Sequence, residues 1–233
     1  MTKETYVVTK ELATKVLKTV DRGLVKGIGA PSPGAMCVEA AVCYAMGLPH
    51  SDSPTCVAPA VRSFKIGLND ADWSSNYARA RGLRQIAVAQ LGSNTIDEVA
   101  FAKQVALETI RKIVPMAMLA AASIQTSPIH KAALEKAAVT CEKAVDLDAA
   151  RYASYAASYA ASAASYAASA ASYAASAARA AASYAASAAR AASYAARAAA
   201  RDKVLTCAAD IGRDALIACN SPGCEFLPLC EKE

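Results

Sequence analysis

Apolar residues recur along the chain at the three- and four-residue spacing of amphipathic helices, and no apolar/polar alternation is long enough to predict a strand. Residues that commonly begin or end helices divide this pattern into segments. The predicted helices are Lys10–Arg22, Cys37–Met46, Ala60–Ile66, a segment from Ser74 or Ser75 to Leu91, Ile96–Ile124, a segment from Pro128 to Val145, and Lys203–Cys219. The sequence therefore predicts an all-α fold.

Particular residues set several of these boundaries. Thr9 is the expected N-cap of the first helix, and Gly67 is expected to end the third. Thr95 and Glu98 have the spacing of a capping box. Pro115 is expected to kink the long helix, because proline removes a backbone hydrogen bond and crowds the preceding turn. Asp202 is the expected N-cap of the last helix.

A low-complexity segment covers residues 151–201. Its 51 residues are 29 Ala, 10 Ser, 7 Tyr and 5 Arg, with no Gly, Pro or acidic residue. Alanine has the highest helix propensity, so we expect one long helix, or a helical hairpin if the segment bends. On a helical wheel most serines form one arc, about half of the circumference is alanine alone, and the tyrosines form a stripe. The stripe is the predicted interaction face: Tyr152, Tyr155, Tyr159, Tyr166, Tyr173, Tyr184 and Tyr194.

The alanine face favours close packing against another helix, because small side chains let two backbones approach. A straight helix of this length would reach roughly 75 Å, longer than any other predicted helix of the chain. We therefore expect self-association into a homo-oligomer through this segment. In composition the segment also resembles the alanine-rich helices of fish antifreeze proteins, which would imply an ice-binding surface. Those helices carry regularly spaced threonines, and this segment has none.

The composition changes along the chain from an ordinary mixture of residues to one rich in Ala, Ser and Tyr, and this change predicts two domains. Residues 1–127 are expected to form a compact helical domain, and residues 128–233 a long Ala/Ser/Tyr-rich helical region with a C-terminal helix and a Cys-containing tail. The net charge of +5 is small and spread along the chain, so it favours solubility over specific nucleic-acid binding. Serine and arginine recur throughout the alanine-rich segment, which argues against a membrane span. The charged N-terminus does not resemble a signal peptide, and this favours a cytoplasmic protein.

Cys37 is the candidate for catalysis. It follows a Pro-Gly loop and opens a helix, where the helix dipole lowers the pKa of a thiol. Papain-like enzymes place their cysteine similarly, and in that arrangement His50 or His130 would be the base, with Asp52 or Glu39 orienting it. This alternative makes the protein a cysteine-dependent enzyme, although the local signature of that family is missing.

The other candidate sites are a metal site and an anion site. Cys37, Cys43, His50 and Cys56 could together bind zinc, although their spacings match no tight zinc pattern. Basic residues with interleaved aromatics suggest an anion-binding cluster. The cations that the third helix contributes are expected on its solvent-exposed side. The members of the cluster are Arg62, Lys65, Arg79, Arg81 and Arg84. No motif predicts a cofactor, and a non-enzymatic interaction protein is the favoured function.

Two stretches carry a resemblance. These are MCVEAAVCYAMGLPH at residues 36–50 and RSFKIGLNDADWSSNYARARGLRQIAVAQLG at residues 62–92. They are similar to uncharacterised bacterial and phage proteins that have a Cys-containing helical N-terminal half and an alanine-rich helical C-terminal half. The resemblance implies the same division of this chain, and it brings no activity with it.

Overall fold

The computed structural model describes residues 6–146, 148, 149, 158 and 185–231. Within them the all-α prediction is confirmed, since the described ranges contain helices and one isolated β-bridge, between Gly29 and Met36, but no strand. The helices are α1 (Lys10–Val20), α2 (Val38–Met46), α3 (Pro59–Asn69), α4 (Asn76–Ala89), α5 (Glu98–Glu108), α6 (Val114–Ser123), α7 (Pro128–Glu142) and α8 (Ala185–Ala218).

The beginnings of α1 and α4 follow the sequence signals. The Thr9 hydroxyl accepts a hydrogen bond from the Leu12 amide at 3.2 Å, as expected of an N-cap. Ser75, rather than Ser74, caps α4 by accepting from the Ala78 amide at 3.0 Å. These helices therefore begin where a side-chain oxygen satisfies an otherwise unpaired backbone donor.

Two predicted boundaries are wrong. Helix α3 continues through Gly67 to Asn69, because nothing at that position requires the left-handed backbone that ends a helix. Thr95 does not cap α5, since its hydroxyl donates to the Gly92 carbonyl. Asp97 takes that place, and its Oδ1 accepts from the amides of residues 99 and 100 at 2.9 and 3.1 Å.

The predicted kink before Pro115 takes the form of a π-helical turn. Residues Thr109–Ile113 form this turn between α5 and α6, and Pro115 lies in the first turn of α6. A proline at the start of a helix loses no hydrogen bond, because the first amides have no partner within the helix. The π turn contains one extra residue per turn, so α5 can end and α6 can begin with the proline in its first turn.

The last helix begins much earlier than expected. Helix α8 runs without a break from Ala185 to Ala218, so the predicted N-cap at Asp202 is wrong. The Asp202 carboxylate instead accepts from the Ser74 amide at 2.9 Å and from the Ser74 hydroxyl. An aspartate inside a helix is tolerated here because its side chain binds another part of the chain.

The described residues fall into two compact units, the first within residues 1–105 and 198–233 and the second within residues 106–197. This grouping differs from the predicted domains 1–127 and 128–233, because the C-terminal residues pack with the N-terminal helices. In the first unit α1 packs on α2 and α4, α2 packs on α3, and a 3-10 helix, Pro222–Glu231, packs on α4 and α1. Its core includes residues from both ends of the chain, such as Val16, Leu83 and Leu216.

The described part of the second unit is built around the hairpin of α6 and α7. Its apolar clusters are small: Ala122 and Leu134 form one, and Ala137 and Cys141 another. Most of the alanine-rich segment, including the tyrosine face from Tyr152 to Tyr184, lies outside the described residues. Of that face only Tyr194 lies within a described helix, α8.

Candidate functional site

The N-terminus of α2 positions two chemically notable side chains, Cys37 and Glu39. Cys37 is the N-cap residue, with an extended backbone, and its Sγ accepts from the Ala40 amide at 3.3 Å. The Val38 amide, the next unpaired donor, is bound by Asn69 Oδ1 at 3.2 Å. The first turn is therefore held by a thiol and by the end of α3, where a hydroxyl or carboxylate would be usual.

Glu39 and Lys65 form a completely buried ion pair between α2 and α3. Neither side chain is exposed, and Lys65 Nζ lies 3.1 Å from Glu39 Oε1. Burial raises the pKa of Glu39 and lowers the pKa of Lys65, because a low-dielectric interior disfavours the charged form of each. The opposite charge of the partner acts against both shifts. Both charged groups of this pair are therefore removed from water.

Lys65 corrects the prediction that the cations of the third helix lie on its outside. It follows Val61 by four residues and precedes Leu68 by three, so it shares their buried face. The sequence carries this signal, together with a lone carboxylate in the otherwise apolar helix VEAAVCYAM. What the sequence does not show is that these two positions face each other.

A small cavity adjoins the pair. Its volume is about 30 Å³, and it reaches the surface beside the exposed loop residues Gly27 and Ile28. Its wall is mixed: Ile28, Val38 and Ile66 supply apolar surface, and the polar side chains are Cys37, Glu39, Asp52, Asn69 and Asp70. The volume exceeds the roughly 10–15 Å³ that a cavity needs in order to hold one water molecule. No substrate of ordinary metabolite size fits into a space this small.

In the structure Cys37 is not hydrogen-bonded to His50, one of its two candidate bases. His50 Nε2 is instead 3.1 Å from the carbonyl oxygen of Gly29. Burial raises the pKa of Cys37, so the neutral thiol is favoured over the nucleophilic thiolate. His130, the other candidate base, lies in α7 of the second unit.

The zinc alternative gains no support from the geometry. Across residues 6–146, 148, 149, 158 and 185–231, no group of three or more His, Cys, Asp or Glu side chains is arranged to hold a metal ion. The Cys56 thiol instead contacts the Met46 sulfur at 3.5 Å, and burial raises the pKa of Cys43 to about 11. Cys37, Cys43 and Cys56 are all buried thiols outside any disulfide.

The basic cluster is spread among separate structural contacts. Arg62 pairs with Asp52 at 2.6 Å, and Arg84 pairs with Asp21 at 2.7 Å. Arg79 is buried and donates to backbone carbonyls, including that of Asn69 at 2.7 Å. With Lys65 buried against Glu39, the remaining member is Arg81, which is exposed. The predicted anion site is thus not a shared surface of five cations.

Native-state alkylation is expected to be slow at the α2 thiols. At pH 8, iodoacetamide should modify Cys43 at least about 100-fold more slowly in the native protein than in urea, since its raised pKa leaves little thiolate. Cys37 should also be alkylated more slowly in the native protein than in urea. In the native protein, the half-buried Cys219 should react faster than Cys37 and Cys43. Peptide mapping by mass spectrometry at successive times measures each rate. Modification of native Cys37 at its unfolded rate would restore the nucleophile hypothesis.

The chain shows no significant match to any protein-family model, curated protein or solved structure. Within the described ranges, no helix combines the length and apolarity that crossing a bilayer demands.

Proposed function

We propose that the protein is a non-enzymatic interaction protein of the cytoplasm that self-associates through its alanine-rich segment, residues 151–201. The support from sequence is the alanine-only face with its flanking tyrosine stripe, which favours a second helix at short distance. Unpaired thiols such as Cys37, Cys43 and Cys141 are compatible with a reducing compartment. Neither membrane nor specific nucleic-acid binding is part of the proposal.

The alanine-only face of residues 151–201 carries the proposal, and the continuity of α8 adds a point of attachment for this segment. The first residues of α8, from Ala185, belong to the alanine-rich segment, and its later residues Ile211, Ala215 and Leu216 are buried. At Gly212 the helix comes so close to Phe64 and Ile86 that a β-carbon would overlap both side chains. The end of the repeat is therefore joined by unbroken helix to a segment that is fixed in the first unit.

The second unit adds a further argument. Its small cores leave large aliphatic side chains at the surface, and each is at least 45% exposed: Leu119, Ile124, Ile129, Val139 and Val145. Exposed apolar residues mark the contact site of a partner where they form one contiguous patch, as the proposal requires of these five. A second copy of the chain would supply such a partner.

The proposal predicts a dependence on one face of the segment. The double variant Ala160→Glu/Ala171→Glu places two carboxylates on the alanine face and should dissociate the oligomer, raising its dissociation constant at least about 100-fold, because each buried unpaired charge opposes close packing. The matched control Ser158→Glu/Ser169→Glu adds the same charge on the serine arc and should leave assembly unchanged. Light scattering coupled to size exclusion, over a concentration series, gives the molar mass of each.

A monomeric wild-type chain at all concentrations would refute the proposal, as would equal dissociation by both variants. Thermal hysteresis of a monomeric protein would instead favour the ice-binding alternative. Circular dichroism of each variant verifies that the helical content is retained, so a change in mass reflects association and not unfolding.

A further inference from the structure

The polar part of the wall of the small cavity at the start of α2 consists mainly of hydrogen-bond acceptors. Glu39 is fully buried and lines it, and neither of its carboxylate oxygens has an aligned hydrogen-bond donor among the described residues. The Lys65 ammonium is close enough to Oε1 for an ion pair but is not aligned as a hydrogen bond. A carboxylate has about four lone-pair positions, so most of the accepting capacity of Glu39 is unused.

Two further carboxylates of the cavity wall have accepting capacity left. Asp70 uses Oδ1 to accept from the Gly27 amide at 2.8 Å and from the Asn69 side-chain amide at 2.9 Å. Asp52 uses Oδ1 to pair with Arg62. The second oxygen of each accepts no hydrogen bond from the described part of the chain.

The cavity wall thus offers acceptors and almost no spare donors. The donors beside it are already committed, since the Val38 amide donates to Asn69 and the Asn69 side-chain amide donates to Val25 and Asp70. Charge disfavours an anion, because the three carboxylates of the wall are each near a cation: Asp52 pairs with Arg62, Glu39 pairs with Lys65, and Asp70 interacts with Arg79. An occupant must therefore donate hydrogen bonds, accept few, and be neutral or positive.

Size restricts the occupant further. A volume of about 30 Å³ is enough for an ordered water, which needs about 10–15 Å³, and it is far below the roughly 300 Å³ of a small-molecule pocket. A buried site keeps a water molecule when it provides two to four polar partners, roughly the number found here. Buried polar atoms without partners call for such an occupant, since leaving them unpaired is costly.

We propose that this cavity binds one water-sized hydrogen-bond donor, a water molecule or an ammonium ion, held by the carboxylate of Glu39. Ammonium offers four N–H donors and no acceptor, water offers two O–H donors and two lone pairs, and the two species have similar volume. The occupant enters beside Gly27 and Ile28, where the cavity meets the solvent. The site is independent of the alanine-rich segment and of self-association.

The first measurement is a crystal structure of the full chain at a resolution that shows ordered water. We expect one density peak within hydrogen-bond distance of Glu39 in the wild type. It should be lost in Glu39→Leu/Lys65→Met, which removes both charges and fills space with apolar atoms. Gln90→Leu is the matched control: Gln90 is also fully buried with an unpaired amide but does not line the cavity, so the peak should remain.

The second measurement distinguishes the two occupants. The thermal midpoint is recorded against increasing ammonium chloride, with sodium chloride and tetramethylammonium chloride at equal concentration as references. A saturating rise that is specific to ammonium, present in the wild type and Gln90→Leu but absent in the double variant, identifies ammonium. Equal midpoints in all three salts, with the density peak present, identify water. A wild-type structure without a peak at Glu39, together with equal midpoints, overturns the proposal.

Discussion

Replacing Lys65 by methionine is expected to lower the free energy of unfolding by about 3–5 kcal/mol, the usual cost of leaving one charge of a buried pair alone. Methionine has a similar length and packs in the same space, so lost packing contributes little. The carboxylate of Glu39 is then left without its cation at a position with no exposure. Urea unfolding followed by circular dichroism measures the change, and a loss below about 1 kcal/mol would contradict the proposed importance of the pair.

The double variant Glu39→Leu/Lys65→Met is the control for this prediction. It removes both charges together, so its stability should return to the wild-type value or exceed it by about 1–4 kcal/mol. Recovery would show that the single variant fails because of an unpaired charge. A double variant as unstable as Lys65→Met would instead show that the shape of these side chains matters more than their charge.

The dependence of stability on pH tests the same pair. Glu39 has a raised pKa when folded, so its contribution is fully present below the unfolded value of about 4.3 and is lost as pH rises through the folded pKa. Lys65 has a lowered pKa when folded, so stability rises with pH from that folded pKa up to about 10.4. The free energy of unfolding of the wild type, measured relative to the double variant, should therefore be lowest at pH values above the folded pKa of Glu39 and below the folded pKa of Lys65. Urea unfolding of both proteins over a pH series measures this difference.

Much of the fold of the first unit was predictable because it depends on local signals. Thr9 and Ser75 are hydroxyl residues placed before apolar periodicity, and each caps its helix as that pattern predicts. Two of the predicted capping residues, Glu98 and Asp202, instead bind distant partners. Glu98, the expected second member of the capping box, accepts from the Ala60 amide at 2.9 Å, and Asp202 binds Ser74. A single sequence does not reveal such long-range competition for a side chain.

The candidate site was predictable only in part. Cys37 was found because its place before a helix is a local property, and the structure puts it at the N-cap. Lys65 was placed on the wrong face, because a cation is ordinarily expected in water and its burial depends on Glu39 across the helix interface. The cavity itself has no local sequence signal, since its wall comes from separated segments around residues 27, 38, 52 and 69.

Replacing Gly223 by alanine is expected to destabilise the protein by about 2–3 kcal/mol, as overpacking of a rigid interior does. A β-carbon at this position would overlap the carbonyl oxygen of Val88 and lie 2.9 Å from the Leu91 amide nitrogen, and backbone atoms cannot turn aside as a flexible side chain does. The Gly223 amide also donates to the Leu91 carbonyl at 2.7 Å, so moving the C-terminal 3-10 helix away from α4 breaks this bond as well.

The matched control is Gly67→Ala. Gly67 lies inside α3, and a β-carbon there would have nothing within 4 Å, so alanine should stabilise the protein by about 0.5–1 kcal/mol through its helix propensity. The two variants make the same chemical change with opposite expected signs, and urea unfolding compares them directly. Hydrogen exchange should also show faster exchange of the Gly223→Ala tail from residue 222 onward. Equal stability of the two variants would mean that the C-terminal tail does not pack closely on α4 in solution.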